Sequence, residues 1–387
     1  MNIITDTQAL AAAVVELRQR PFVAVDTEFL RETTFWPKLC LVQIAAEGVE
    51  IVIDPLSHGL DLAPLFALMN DGAVLKVFHA ARQDLEIFLK LDGRMPGPVF
   101  DTQIGAMACG YGDSVAYDAL VQGLLRKKVD KAARFTDWSR RPLSPDQLHY
   151  ALADVTHLRD LYPRMRAQLE AEGRLEWLAD ELGDLIDPAN YDVSPENAWK
   201  RLKIRKGGAD FLIALQTAAA WRESTAQTRD IPRSRVMKDD ALYEVAEQRP
   251  RSAAAFDRLR AVPKGFGGSR GGAELAAALD AALAAPDRKP PVVERSAAPP
   301  ASSVNGPIVE LLRVLLRAEC ERCGVAAKLI ASSADLDWIA ADDAADVAAL
   351  KGWRRDVFGA QALALKSGAI ALTMKDGKLD IRQIAPR

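Results

Sequence analysis

The stretch VAVDTEFLRE, residues 23–32, decides how the rest of the chain is read. Its first half is a short apolar run of the kind that forms a buried strand. At the end of that strand Asp26 and Glu28 stand two residues apart, so the period of a strand turns both carboxylates to one face. Two carboxylates in so small a space repel, and one takes up a proton unless a cation removes the penalty. Hard oxygen ligands suit a divalent cation such as Mg2+ or Mn2+. A solvated strand end also carries such a pair, so the reading turns on whether further carboxylates reach the same place.

Moving outward, KLCLVQIAA from Lys38 and VEIVIDP from Val49 are β-rich and bounded by turn residues, which predicts three neighbouring strands. A helix is expected from Asp61, a strand in AVLKVFHA from Ala73, and a helix over Ala81–Leu91. Asp84 lies at the start of that last helix, directly after a strand and so at the carboxyl edge of the sheet, where open α/β sheets bind ligands. The helix dipole alone also favours an aspartate there. Ser144 followed by Pro145 is a helix start, because serine caps free backbone amides and proline already has the φ of a first turn. The helix it opens carries HYALADVTHL, residues 149–158, in which Tyr150 and Asp154 are one turn apart and reach the same place. On this apolar helix an aspartate is costly unless paired or bound to a cation, and the tyrosine can hydrogen-bond a water beside such a cation. The alternative is a core tyrosine with its aspartate in a salt bridge.

D-x-E at a strand end, an aspartate after a strand, and Y-x-x-x-D on a helix form a pattern more specific than any of its parts. In VAVDTEFLRE, VFHAARQDLEIF and YALADVTHL the chain resembles the DEDD exonucleases of the tyrosine subtype, over roughly the first 170 residues. The resemblance implies a ribonuclease H-like fold, two divalent cations in the active site, and hydrolysis from a free 3′ end that releases 5′-mononucleotides. It further implies that Asp26, Glu28, Asp84 and Asp154 hold the cations and that Tyr150 positions or helps deprotonate the attacking water. Such a pair of cations suits in-line displacement at phosphorus.

Between these motifs, DKAARFTDWSRRPLS (residues 130–144) is similar to a K-S-x-x-x-T-D-W stretch of ribonuclease D relatives. Lys131, Thr136, Asp137 and Trp138 match, whereas Ala132 and Phe135 replace the usual serine and arginine, which leaves room for altered substrate contacts. Arg126, Lys127, Lys128, Arg134, Arg140 and Arg141 form either a phosphate-facing patch or a solvated basic surface. Phe29 and His79, adjacent to motif residues, either contact the terminal nucleotide or serve the core and the sheet.

Beyond Glu172 strand signals almost vanish. The expected division is an exonuclease domain over 1–172, a helical connector over 173–206, a helical domain over 207–285, a Pro- and Ser-rich linker over 286–307 and a last domain over 308–387. In IPRSRVMKDDALYEVAEQRP and FDRLRAVPKGF the chain resembles the HRDC module shared by helicases and ribonuclease D relatives, and by the same resemblance the last domain is a diverged second copy. Its closing SGAIALTMKDGKLDI reads as a helix end plus a short hairpin. The fold class expected is therefore an α/β ribonuclease H-like domain followed by all-α HRDC-type domains. The run KRLKIRK, with Lys200, Arg201 and Lys203, is either an attractor of a phosphate backbone or a solvated linker helix. Cys320 and Cys323 have CxxC spacing without a second pair or a nearby histidine, so a structural role is expected.

With 49% hydrophobic and 27% charged residues in 387, the chain has the composition of a soluble protein of several domains. A formal charge of -3 gives no global basicity, so any nucleic-acid contacts must be local. Four scattered cysteines do not make a disulfide framework, and MNIITDTQAL has neither the basic start nor the apolar core of a secretion signal, so a cytoplasmic protein without a membrane span is expected. No G-x-x-x-x-G-K-[ST] loop is present, which excludes an ATP-driven motor of that type. The resemblance makes RNA with a free 3′ end the expected substrate, tRNA precursors in particular. A DNA 3′→5′ exonuclease and an inactive nucleic-acid scaffold are the competing readings.

Overall fold

The computed structural model describes residues 3–130, 132–134, 136–204, 207–292, 299 and 305–384. Six strands form one mixed sheet: β1 (Ile3–Ile4), β2 (Phe22–Leu30), β3 (Lys38–Ala46), β4 (Val49–Ile53), β5 (Leu75–Phe78) and β6 (Val99–Asp101), in the order β1-β4-β3-β2-β5-β6. As expected, β2, β3 and β4 are neighbours, paired antiparallel, while β5 and β6 extend the sheet in parallel beyond β2. Helices α1 (Thr7–Leu17), α2 (Ala63–Met69) and α3 (Arg82–Asp92) follow β1, β4 and β5; α4 (Thr102–Ala108), α5 (Tyr117–Leu125) and α6 (Pro145–Ala171) follow β6. This is the ribonuclease H-like arrangement anticipated above.

Alternation along β2 sorts the two faces of the sheet. Val23 and Val25 join a core with Leu10 and Val14 of α1, Leu65 of α2, and Leu85 and Phe88 of α3, whereas Ala24 joins the opposite core with Leu120 of α5 and Val155 and Leu158 of α6. The small Ala24 and Ala45 leave room for α6 to lie close over β2 and β3. Helix α6 starts where the sequence predicts: the Ser144 hydroxyl accepts from the Gln147 amide while the Gln147 side chain returns to the Ser144 amide, a complete capping box with Pro145 in the first turn.

The short α4 and α5, and the two- and three-residue strands β1 and β6, are too brief to show a period and were not legible. Beyond α6, a helical core forms around α7 (Ala209–Arg229), where Leu215, Ala218 and Ala219 pack on Trp199, Leu242 and Leu275. A last core gathers Leu312, Leu315, Ile339 and Phe358, and the chain ends in an antiparallel hairpin of β7 (Ile370–Lys375) and β8 (Lys378–Gln383). Among the described residues no helix is long and apolar enough to cross a membrane.

Candidate active site

Because Asp26 and Glu28 continue the side of β2 that begins with Ala24, both carboxylates face α6, and Asp154 meets them from that helix. One oxygen from each of Asp26, Glu28 and Asp154 lies within 4.8 Å of the others. Thr27 points to the other face, toward α3, and its hydroxyl donates to the Asp84 carboxylate. The structure thus brings three of the four predicted carboxylates together and sets Asp84 next to them behind Thr27, near enough for its charge to act on Asp26 and Glu28. Asp84 reaches that place through a bend that the sequence did not reveal. Ala80 takes a left-handed φ of 57°, and the Ala80 and Ala81 amides donate to the two oxygens of Asp101 at 3.0 and 2.9 Å.

Burial, followed by repulsion from Asp154, pushes Asp26 up to about 8. Burial, then the charges of Asp26, Asp154 and Asp84, push Glu28 up to about 10. Burial raises Asp154 to about 7, with the Tyr150 hydroxyl and the Arg134 charge pulling the other way. Asp84 is raised as well, first by burial and then by Asp26. Four carboxyls that cannot all ionise together form a cation-seeking cluster. One of their oxygens, Oδ1 of Asp154, is buried without a hydrogen-bond partner, and Gln43, opposite Asp26 on β3, has both amide atoms in the same condition. Hard oxygen donors, excess negative charge and an orphaned acceptor fit a divalent cation with its water.

The carboxylates open on a cleft of about 450 Å3 whose walls include Phe29, His79, Gln103, Tyr117, Arg134 and Tyr150. Phe29 sits where β2 and β3 slip register, and it lines the cleft while still packing against the core on the α3 side of the sheet. His79 is braced by Thr102, Nδ1 to Oγ1 at 3.0 Å, and burial lowers its pKa, so the ring is a neutral wall. Tyr150 is raised well above an ordinary phenol by burial and by Asp154, and it stays protonated at any physiological pH. Tyr117 and Gln103 were missed. They lie outside the motifs, and nothing in their spacing ties them to the acidic residues.

Several side chains of the basic segments have acidic partners of their own. Arg141 is spent on structure: its guanidinium holds both oxygens of Asp54 at 2.6 Å and the Cys40 carbonyl at 2.8 Å. Lys127 pairs with Asp160 at 3.1 Å and Arg140 with Asp137 at 3.2 Å. In the T-D-W stretch, Thr136 accepts from Gln147 at 3.1 Å and Trp138 is buried 6.0 Å from the Tyr150 ring, so this loop packs under the start of α6. Arg201 binds Glu223 at 2.9 Å and the Asp192 carbonyl at 2.8 Å, whereas Lys200 and Lys203 are exposed. Lys131, Phe135, Arg205 and Lys206 lie outside the described residues.

Known proteins match this architecture. Residues 1–170 match the 3′-5′ exonuclease family and residues 213–277 match the HRDC domain. The chain is 51% identical over 380 residues to the ribonuclease D of Nitrobacter hamburgensis, covering 98% of each. It is 50% identical over 377 residues to the ribonuclease D of Granulibacter bethesdensis, covering 97% of this chain and 95% of that one. Its structure is similar to the crystal structure of Escherichia coli RNase D, an exoribonuclease involved in structured RNA processing, with a TM-score of 0.78 and 29% identity over 95% of this chain and 99% of that one. Similarity of this extent, over the catalytic cleft and the helical domains alike, means that the chain belongs to the ribonuclease D family of 3′-5′ exoribonucleases.

Proposed function

We propose that Asp26, Glu28, Asp84 and Asp154 hold two divalent cations, Mg2+ or Mn2+, and that the enzyme uses them to trim the 3′ trailers of tRNA precursors. The observation that carries the metal site is the convergence of three half-buried carboxylates with an unpartnered oxygen on Asp154. Bound cations would neutralise charge at the scissile phosphate and make the attacking water more acidic. Tyr150 stays a neutral phenol whose proton goes to Asp154, which leaves its oxygen to accept a hydrogen bond from that water and help hold it in place. Phe29 offers a face to the terminal base, His79 a neutral edge, and Arg134 a positive charge to the phosphate. Lys131, three positions before Arg134 in the sequence, adds charge there, and Lys200, Lys203 and, in part, Arg201 offer charge to the body of the RNA.

The same reading divides the chain into a catalytic domain (1–172), a connector (173–206), an HRDC domain (207–285), a linker (286–307) and a diverged second HRDC-like domain (308–387). The HRDC match at 213–277 and the involvement of the Escherichia coli relative in structured RNA processing support a structured RNA as substrate. The test uses matched RNA and DNA oligonucleotides and a precursor tRNA with its trailer, each with a free or blocked 3′ end, in Mn2+. Stepwise release of 5′-mononucleotides from free RNA ends, with trimming that stops near the mature tRNA end, is expected. Preferential digestion of DNA, or release from blocked ends, would overturn the reading.

A further inference from the structure

The C-terminal domain reaches into the core of the catalytic domain behind the cleft. Ala326 and Leu329, 7% and 1% exposed, belong to the same apolar cluster as Ala24 of β2 and Val155 and Leu158 of α6, with Trp353 packed beside them. They are therefore part of the catalytic domain's core, delivered from the far end of the chain.

Their neighbours seize the loop between α4 and α5. The Ala326 amide donates to the Met107 carbonyl at 2.8 Å and the Lys328 amide to Oδ1 of Asp113 at 2.9 Å. Arg174 bridges the seam, donating to the Ala108 carbonyl at 2.8 Å and to the Cys323 carbonyl. Gly110 has a φ of +80°, and a Cβ there would stand 2.6 Å from the Gly324 carbonyl oxygen, so the two backbones approach as closely as glycine alone permits. Behind this seam Trp177 and Trp353 stack at 4.1 Å with planes 2° apart, and Arg354 binds Asp180 at 2.6 Å and Glu181 at 2.5 Å.

The clamped loop ends at Tyr117, whose hydroxyl donates to the backbone carbonyl of Asp154 and whose ring faces His79 at 5.2 Å. Gln103, on α4, ties the same loop from inside the cleft through the Val115 carbonyl at 3.2 Å. We infer that the C-terminal domain is a positioning element of the exonuclease site: by fixing the 109–116 loop it seats Tyr117 against Asp154 and sets one wall of the cleft. A grip on phosphates would call for excess positive charge, yet residues 305–384 carry eleven Lys or Arg against eleven Asp or Glu. This inference rests on the proposed catalytic role of Asp154.

The test uses full-length protein and a short single-stranded RNA that fills only the cleft. Gly110→Ala pries the seam apart; Asp113→Ala removes one clamp, and Asp113→Asn keeps its acceptor. Gly110→Ala is expected to lower kcat about tenfold and Asp113→Ala about threefold with KM little changed, and Asp113→Asn is expected to restore kcat. Tyr117→Phe should lower kcat to a similar extent, and Gly110→Ala added to Tyr117→Phe should have little further effect, because both act through one contact. Should Gly110→Ala fail to fold, the Asp113 pair combined with Tyr117→Phe asks the same question. Unchanged kcat in Asp113→Ala, losses confined to KM, or effects that add fully to that of Tyr117→Phe would overturn the inference. None of these outcomes touches the metal site, which fails separately if Asp154→Asn stays active.

Discussion

The acidic cleft and the basic segments are the two concentrations of charge that read as functional in the sequence, and the structure treats them in opposite ways. In the cleft, like charges are pressed together under burial and Asp154 keeps an oxygen with no partner. Along the basic segments, Arg141, Lys127, Arg140 and Arg201 each find an acidic partner. A paired arginine has spent its charge on holding two pieces of chain together. A half-buried carboxylate beside two others keeps most of its cost, which a bound cation offsets. Function in this chain therefore follows from unpaired burial more than from charge density.

The largest test of that contrast is Asp154→Asn. It should lower kcat/KM for mononucleotide release by about three orders of magnitude, as expected for loss of a group that acts on the transition state. The cation-free protein should lose no stability, because one repelling charge has gone. A variant that unfolds instead would show Asp154 to be structural.

Next in size is the response to cations and pH. In cation-free protein the raised carboxyls keep protons in the folded state that the unfolded chain has released, so stability should fall as pH rises from about 4 to about 8. Mn2+ competes with those protons. At a hundred times its dissociation constant it contributes about 2.7 kcal/mol, and the rise in Tm should be larger at pH 8 than at pH 6. Calorimetry with and without chelator decides, and an equal shift at both pH values would sink the assignment.

Arg141→Ala probes the opposite kind of charge. It strands the buried Asp54 and frees the Cys40 carbonyl, and urea unfolding should show a loss of about 2 kcal/mol, discounted for the partial exposure of the arginine. If the folded variant instead binds RNA more weakly at unchanged stability, the phosphate-facing reading returns. Smallest is Lys200→Ala with Lys203→Ala, the exposed remainder of its run. RNA affinity should fall only severalfold, with the salt dependence of binding less steep by about one for each lysine removed, and no change on a short oligonucleotide.

What was legible in the sequence followed from local geometry. Residues two apart on β2 must share a face, so Asp26 and Glu28 were bound to converge. Residues four apart on α6 must do likewise, and Ser144 with Pro145 placed the start of that helix to the residue. Asp84 was found, but its position behind Thr27 was not, because which face of β2 receives α3 depends on how the helices distribute over the sheet. Tyr117 and Asp101 escaped because each acts on a segment that only folding brings near.

The sequence by itself determined that Asp26 and Glu28 would share one face of a strand and Tyr150 and Asp154 one face of a helix. Backbone periods of two and 3.6 admit no other arrangement once the strand and helix exist. Only the tertiary structure decided which charges are free and which are paired. Arg141 meets Asp54 across 87 positions of chain, and Lys328 meets Asp113 across 215. No local rule reaches so far, since such contacts depend on where whole elements pack, and that is set by the cores they jointly bury.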